Sequence, residues 1–351
     1  MSKEFYFNYQ EPSVGWTRVT KDFGPLTYDD VLIRQENNTK LESRSEADTS
    51  IIFGPYNLTK PIVTAPMDTI TGDAMIRKIA ELGGIGSLPR GELETRLKLC
   101  DTYSTENIPC LYAIGLKDGL EEAAQLKERG AKMILIDVAH GGMSSVQSIA
   151  GEIKNRLGLW VVAGNITTYE QAETYKKLGV DIARVGVGGG SSCTTRLKTG
   201  VGFPQLSAIF ETTETGIYVI ADGGIKQPAD LSKAIAAGAK MGMIGGMFAG
   251  TEETPGEVIN GEKIFRGQAS TSYMKDNQVV KNGHRTDEGI AISVPAKGTV
   301  VHVVDDLIGG LKSAMSYTGA RNIDEFQERS KFVKISPSTV YENKPHIQNK
   351  S

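Results

Sequence analysis

The chain has 351 residues, 39% of them apolar and 40 of them glycine, enough to bury a sizeable core and to turn tightly many times. A net charge of −3 supplies no bulk field for nucleic acid or an anionic membrane, and no apolar stretch approaches the roughly 18 residues of a membrane span, nor does a basic-then-apolar signal open the chain. Cys100, Cys110 and Cys193 show neither CxxC spacing nor an even framework, which is expected of reduced thiols in a cytoplasmic protein.

Eight short, continuously apolar runs follow one another at near-even spacing: residues 61–65, 84–88, 110–114, 133–137, 159–163, 181–185, 217–221 and 241–245. Continuous rather than alternating hydrophobicity is the mark of strands covered on both faces. Helix-like segments lie between them. One runs from Gly119 and stops at Gly130. A second opens at Thr168, a good capping residue, and stops at Gly179. A third is led by Pro228 and stops at Gly238. Eight βα units of this length predict a (β/α)8 TIM barrel in a single domain, with an open doubly wound sheet as the alternative. The 89–109 interval has room for one helix and no regulatory insert. The interval between the sixth and seventh runs is the longest, and its excess, residues 186–205, contains Cys193; enlarged loops after barrel strands are where such folds place chemistry. Residues 251–300 read as a polar flap followed by the strand-like Ile292-Ser293-Val294-Pro295, residues 302–316 as a closing helix, and the tail from Ser336 as extended.

Five constellations can carry chemistry. In Gly186-Val187-Gly188-Gly189-Gly190-Ser191-Ser192-Cys193-Thr194-Thr195-Arg196, a flexible turn would explain the glycines alone. A cysteine edged by amides, hydroxyls and an arginine suits a thiolate nucleophile. Asp222, followed by Gly223-Gly224 at the end of the seventh strand, faces the barrel mouth, where a carboxylate suits the two hydroxyls of a ribose; a helix cap or salt bridge is the bland reading. Gly245-Gly246 ends the eighth strand, beside the usual barrel phosphate position. Asp137-Val138-Ala139-His140-Gly141 ends the fourth; His140 reads first as a hydrogen-bonded mouth residue, and the four histidines have no zinc-ligand spacing. Arg285-Thr286-Asp287-Glu288-Gly289 lies in the flap and alone means little.

Together with Leu26-Thr27-Tyr28-Asp29-Asp30-Val31-Leu32, Ala65-Pro66-Met67-Asp68, Lys198-Thr199-Gly200-Val201-Gly202 and Pro204-Gln205-Leu206-Ser207-Ala208, these motifs resemble the IMP dehydrogenase/GMP reductase family over about residues 22–335. The resemblance implies a covalent mechanism with Cys193 as the nucleophile on purine C2, and Thr195 and Glu288 as the acid–base pair. It implies Asp222 on the ribose; Ser191, Gly224, Gly245 and Gly246 on the phosphate; and Gly223, Gly267, Gln268, Ala269, Arg285, Asp287 and Gly289 around the nucleotide. On the cofactor side it implies Asp137, Val138, Ala139, Val187, Gly188, Ser313 and Ser316, and it implies a potassium-type ion on the carbonyls of Gly188, Gly190 and Cys193.

Within the family, the run from Cys193 to Gly202, the absence of an Arg-Tyr pair in the flap and the absence of a regulatory insert favour a GMP reductase: NADPH-dependent reductive deamination of GMP to IMP and ammonia by a homotetramer. An IMP dehydrogenase using NAD is the alternative, followed by a non-catalytic nucleotide-binding relative and an unrelated phosphate-binding barrel such as a flavin enzyme. Three positions depart from the family pattern. Leu88-Pro89-Arg90 stands where a histidine is usual, Arg184 replaces a common lysine, and Gly188-Gly189-Gly190 lacks the usual proline.

Overall fold

Residues 24–276 and 286–343 are described by the structure, a computed structural model. Strand β1 (Val31–Ile33) is followed by a hairpin of β2 (Ile51–Phe53) and β3 (Tyr56–Leu58). Eight parallel strands then alternate with helices: β4 (Ile62–Thr64), β5 (Gly86–Leu88), β6 (Cys110–Ile114), β7 (Met133–Asp137), β8 (Trp160–Ile166), β9 (Ile182–Val185), β10 (Tyr218–Asp222) and β11 (Met241–Ile244). Each pairs with its neighbour in chain order, and β11 returns to β4. The last gap closes through the parallel bridge Val63–Ile85, flanked by 3.2 Å hydrogen bonds from Thr64 N–H to Ile85 O and from Ile85 N–H to Ile62 O. The ring is a (β/α)8 barrel, and the open-sheet alternative is excluded because no barrel strand is left with an edge.

All eight predicted strands are present, displaced by a few residues at their ends at most. Their apolar continuity has the expected cause: Ile134, Leu135 and Ile136 in β7 and Val161, Val162 and Ala163 in β8 are fully buried between barrel interior and helix layer. Burying each larger aliphatic side chain contributes roughly 1.5–3 kcal/mol. The helix signals also hold. Thr168 and Gln171 form a capping box, Pro228 is the first residue of its helix, and Gly130, Gly179 and Gly238 follow their helix ends with positive φ. The single helix between β5 and β6 is Leu93–Thr105, and the closing helix is Val300–Thr318, packed on Pro228–Ala236.

The hairpin β2–β3 plugs one end of the barrel. Its Gly54 turn (φ +56°) lies against Met133 and Trp160, the first residues of β7 and β8. The opposite end, where the strands finish, is left open for a site.

The flap is more ordered than its sequence suggests. β12 (Glu262–Arg266) pairs antiparallel with β13 (Ala291–Pro295) and leads to a helix at Thr271–Asp276; residues 277–285 lie outside the described part. β12 does alternate, with Lys263 and Phe265 turned inward. The signal escapes a hydrophobicity reading because one inward residue is a lysine. Its ammonium donates to the carbonyls of Thr251 (2.9 Å) and Thr254 (2.7 Å), which compensates the burial. Just before the tail, β14 (Phe332–Lys334) pairs antiparallel with β1, and the described part of the tail, expected to be extended, forms a turn of helix at Thr339–Glu342.

Candidate active site

A cleft of about 330 Å³ opens at the strand ends. Around it the loop after β9 supplies Val187, Gly188, Gly190 and Cys193, the end of β10 Asp222, the end of β7 Asp137, Val138 and Ala139, and the flap Gly267, Gln268, Ala269, Glu288 and Gly289. Residues as distant in sequence as Asp137 and Gly289 therefore share one cavity, because parallel strands all deliver their C-terminal loops to the same rim.

The Cys193 loop is a built structure. Gly186 leaves β9 at φ +139° where a side chain would strike the Asp222 carbonyl, and Gly188 (φ +75°) leaves room for the stem of Arg196. The Arg196 guanidinium folds back to donate to Val187 O (3.1 Å) and Phe203 O (2.6 Å), closing the loop on itself. Gln205, buried beneath, donates to Val185 O at 2.8 Å. The flap is stitched alongside: Thr194 N–H donates to Glu288 O (2.8 Å) and Ile290 N–H to Ser192 O (2.9 Å). These bonds bring three side chains into a line. The Cys193 thiol lies 3.2 Å from Thr195 Oγ1, which in turn donates to Glu288 Oε2 at 2.7 Å. A nucleophile, a hydroxyl and a carboxylate in series can pass a proton between a reacting atom and Glu288.

Cys193 is part-exposed, whereas Cys100 and Cys110 are buried. Burial pushes both of the latter thiols up, Cys110 to about 12. Iodoacetamide is therefore expected to modify Cys193 alone in the folded protein, read by peptide mass spectrometry; labelling of Cys100 or Cys110 first would contradict the assignment.

The carboxylates are not bare. Arg184, buried on β9, donates from Nε to Asp222 Oδ2 (2.8 Å) and from Nη1 to Asp137 Oδ1 (2.6 Å). Burial opposes its charge, but Asp222 and Asp137 outweigh that and hold the guanidinium above its ordinary pKa. Asn165 Nδ2 adds a second donor to Asp222 Oδ2 at 2.7 Å, and Arg90 Nε reaches Asp137 Oδ2 at 3.3 Å. Asp222 thus keeps Oδ1 for a ligand, while both oxygens of Asp137 are engaged. Asn165 was not singled out in the sequence because the 159–163 run stops short of it; β8 continues to Ile166 and carries it to the mouth.

The remaining expected residues divide. Ser191 faces Gly246, where an added methyl would lie 2.5 Å from its hydroxyl, so the phosphate candidates of two loops meet. The Gly224 amide is already given to Gly189 O (2.8 Å), and Gly223 packs on Gly189 and Gly190; these two glycines join the loops. Asp287 accepts from Thr271 Oγ1 and its carbonyl from Thr194 Oγ1; it braces the flap and does not line the cleft. Ser313 and Ser316 bond to carbonyls of their own helix, which packs on the barrel's flank, and neither lines the cleft. Arg285 lies outside the described residues. His140 is exposed, does not line the cleft, and makes no hydrogen bond among the described residues. Of the three carbonyls expected to hold a monovalent ion, that of Gly190 accepts the Cys193 amide (3.1 Å), while those of Gly188 and Cys193 accept nothing among the described residues. The set fits part of an ion's shell.

Comparison with known proteins accords with this geometry. A family model described as "IMP dehydrogenase / GMP reductase domain" matches residues 25–346. GMP reductase 2 of Homo sapiens is 34% identical over 332 residues, covering 89% of this chain and 94% of its own, and that of Mus musculus 33% identical with the same coverage. Inosine-5'-monophosphate dehydrogenase of Chlorobaculum parvum is 40% identical over 254 residues, 67% of this chain and 51% of its own, so the chain spans about half the length of the dehydrogenases it matches. The crystal structure of a cysteine-to-alanine variant of GMP reductase from Trypanosoma brucei, in complex with guanosine 5'-monophosphate, superposes with a TM-score of 0.85 at 26% identity, over 92% of this chain and 98% of that one. The chain belongs to the IMP dehydrogenase/GMP reductase family.

Proposed function

We propose that this protein is a GMP reductase, converting GMP, NADPH and two protons to IMP, NADP⁺ and ammonium. The observation that carries the reading is the line Cys193–Thr195–Glu288 in one cleft with Asp222. The Cys193 thiol gives its proton through Thr195 to Glu288 and its sulfur adds to C2 of the purine. The 2-amino group would be a poor leaving group as an amide anion, so Glu288 returns a proton through Thr195 and ammonia departs, leaving a Cys193 thioimidate. The nicotinamide cofactor, when bound, supplies the hydride that C2 takes up as the C–S bond breaks and IMP forms. Asp222 Oδ1 accepts from the ribose, and Ser191 with the Gly245 and Gly246 amides holds the phosphate. Gly267, Gln268 and Ala269 border the base, with Gly289 closing against them.

Val138, Ala139, Val187 and Gly188 form the cofactor wall beside Cys193. Ser313 and Ser316 would meet a cofactor only across a contact between copies, which fits a cytoplasmic homotetramer. The carbonyls of Gly188, Gly190 and Cys193 would hold a monovalent cation that keeps the Cys193 loop in shape. Among the described residues no helix is long and apolar enough to cross a membrane.

A second reading, IMP dehydrogenation with NAD, draws on the 40% identity to a dehydrogenase over 254 residues. The reductase is favoured by the sequence from Cys193 to Gly202 and by a flap without an Arg-Tyr pair. A two-way assay decides. Loss of nicotinamide absorbance with GMP and NADPH, and no gain with IMP and NAD, is the expected result; the opposite pattern overturns it.

A further inference from the structure

Arg90 lines the cleft from the loop after β5, off the rim of β9, β10 and β11, and its role is open. Strand order places the groups assigned to the nucleotide on the rim of β9, β10 and β11, while Asp137 ends β7 and Arg90 follows β5. Two ligands lying side by side across the mouth would therefore put the dinucleotide over the β5–β7 side. Asp137 was expected to greet it, but both its oxygens are taken by Arg184 and Arg90. Arg184 reaches across from β9 and already neutralises Asp137, so the weakly held guanidinium of Arg90 is a second positive charge on a carboxylate that has a partner. Arg184 is spent on Asp137 and Asp222 and buried. Arg90 differs: its side chain is 39% exposed, lines the cleft, and among the described residues has Asp137 as its one hydrogen-bond partner, through Nε alone at 3.3 Å. Asp137 holds the near edge of the guanidinium, leaving the two terminal nitrogens as a planar pair of donors on a fixed stem. Such a fork matches the paired oxygens of a phosphate.

The geometry points to Arg90 as the ligand of the dinucleotide's pyrophosphate, with Asp137 as the residue that positions it. This rests on the reductase reading above in needing a dinucleotide in the cleft. Its sequence signal is the departure from the family pattern at Leu88-Pro89-Arg90.

The test is titration calorimetry on the full chain, wild type, Arg90→Met and Arg90→Lys, with four ligands: NADPH, NADH, reduced nicotinamide riboside, which has no phosphate, and IMP. Arg90→Met is expected to weaken NADPH and NADH alike by about tenfold or more, the scale of a lost charged hydrogen bond, with Arg90→Lys recovering part of the loss. Riboside and IMP affinities should stay within about twofold, the IMP arm also showing that the variant is folded. Unchanged NADPH affinity in Arg90→Met, an equal loss for the riboside, or a loss confined to NADPH (which would point to its 2′-phosphate) each overturns the assignment while wild-type binding stands. If the wild type binds neither dinucleotide, the reductase reading falls and this inference with it.

Discussion

Cys193→Ala loses at least about ten-thousand-fold in turnover, the scale seen when a covalent nucleophile is removed, while its affinity for GMP stays within a few-fold. The two halves of this result have different causes. The thiol is the one atom proposed to bond to C2, and a methyl group cannot add to the purine, so the route through a thioimidate closes completely. The binding groups do not depend on it: Asp222 is fixed by Arg184 and Asn165, Ser191 and Gly246 meet through their own loops, and the loop is held by Arg196 and the flap backbone. The thiol's hydrogen-bond partner is Thr195 Oγ1, at 3.2 Å. NADPH oxidation gives the first quantity and GMP titration the second. A mass increase on denatured enzyme quenched during turnover, seen in the wild type and missing from Cys193→Ala, identifies the adduct. A variant that keeps even a tenth of the activity removes the covalent mechanism.

The barrel was legible because its strands obey one constraint repeated eight times: buried on both faces, they admit few polar residues, and helices ending at Gly130, Gly179 and Gly238 punctuate them. The nucleophile was legible for a local reason, since glycines, hydroxyls and an arginine crowd around Cys193 within a dozen residues. What escaped is what depends on distance in sequence. Arg184 stands out only as a departure from the family pattern, and nothing near it announces that Asp137 and Asp222, 47 and 38 positions away, will close on it. Asn165 has the same difficulty, and Lys263 breaks a strand pattern because its carbonyl partners precede it by about ten residues. Buried charge is invisible to a hydrophobic period, and its compensation is visible only once the loops are folded. Ser313 and Ser316 show the converse: family position assigns them a role that a single chain cannot place at the cleft.

Glu288→Gln is expected to lower kcat by roughly a hundred- to ten-thousand-fold, the range of a lost general acid–base group, with little change in KM. The amide nearly matches the carboxylate in shape and can still meet Thr195 Oγ1, so the 2.7 Å contact survives. Glu288 is also held by its backbone, its carbonyl accepting the Thr194 amide at 2.8 Å, so the substitution leaves the flap seated beside the Cys193 loop. What disappears is the capacity to take a proton from the thiol and return it to the departing nitrogen. Thr195→Val should cost a similar factor by breaking the same line in the middle, since among the described residues its hydroxyl is the side-chain link between the Cys193 thiol and the Glu288 carboxylate. If the three residues act as one relay, the double variant Glu288→Gln/Thr195→Val is no slower than the worse of the two singles, because a chain already cut loses nothing further. Steady-state kinetics on the four proteins measures this cycle. Full additivity of the two losses would mean that the hydroxyl and the carboxylate act separately, and Glu288 would then exchange its proton with the departing nitrogen by a path that does not run through Thr195.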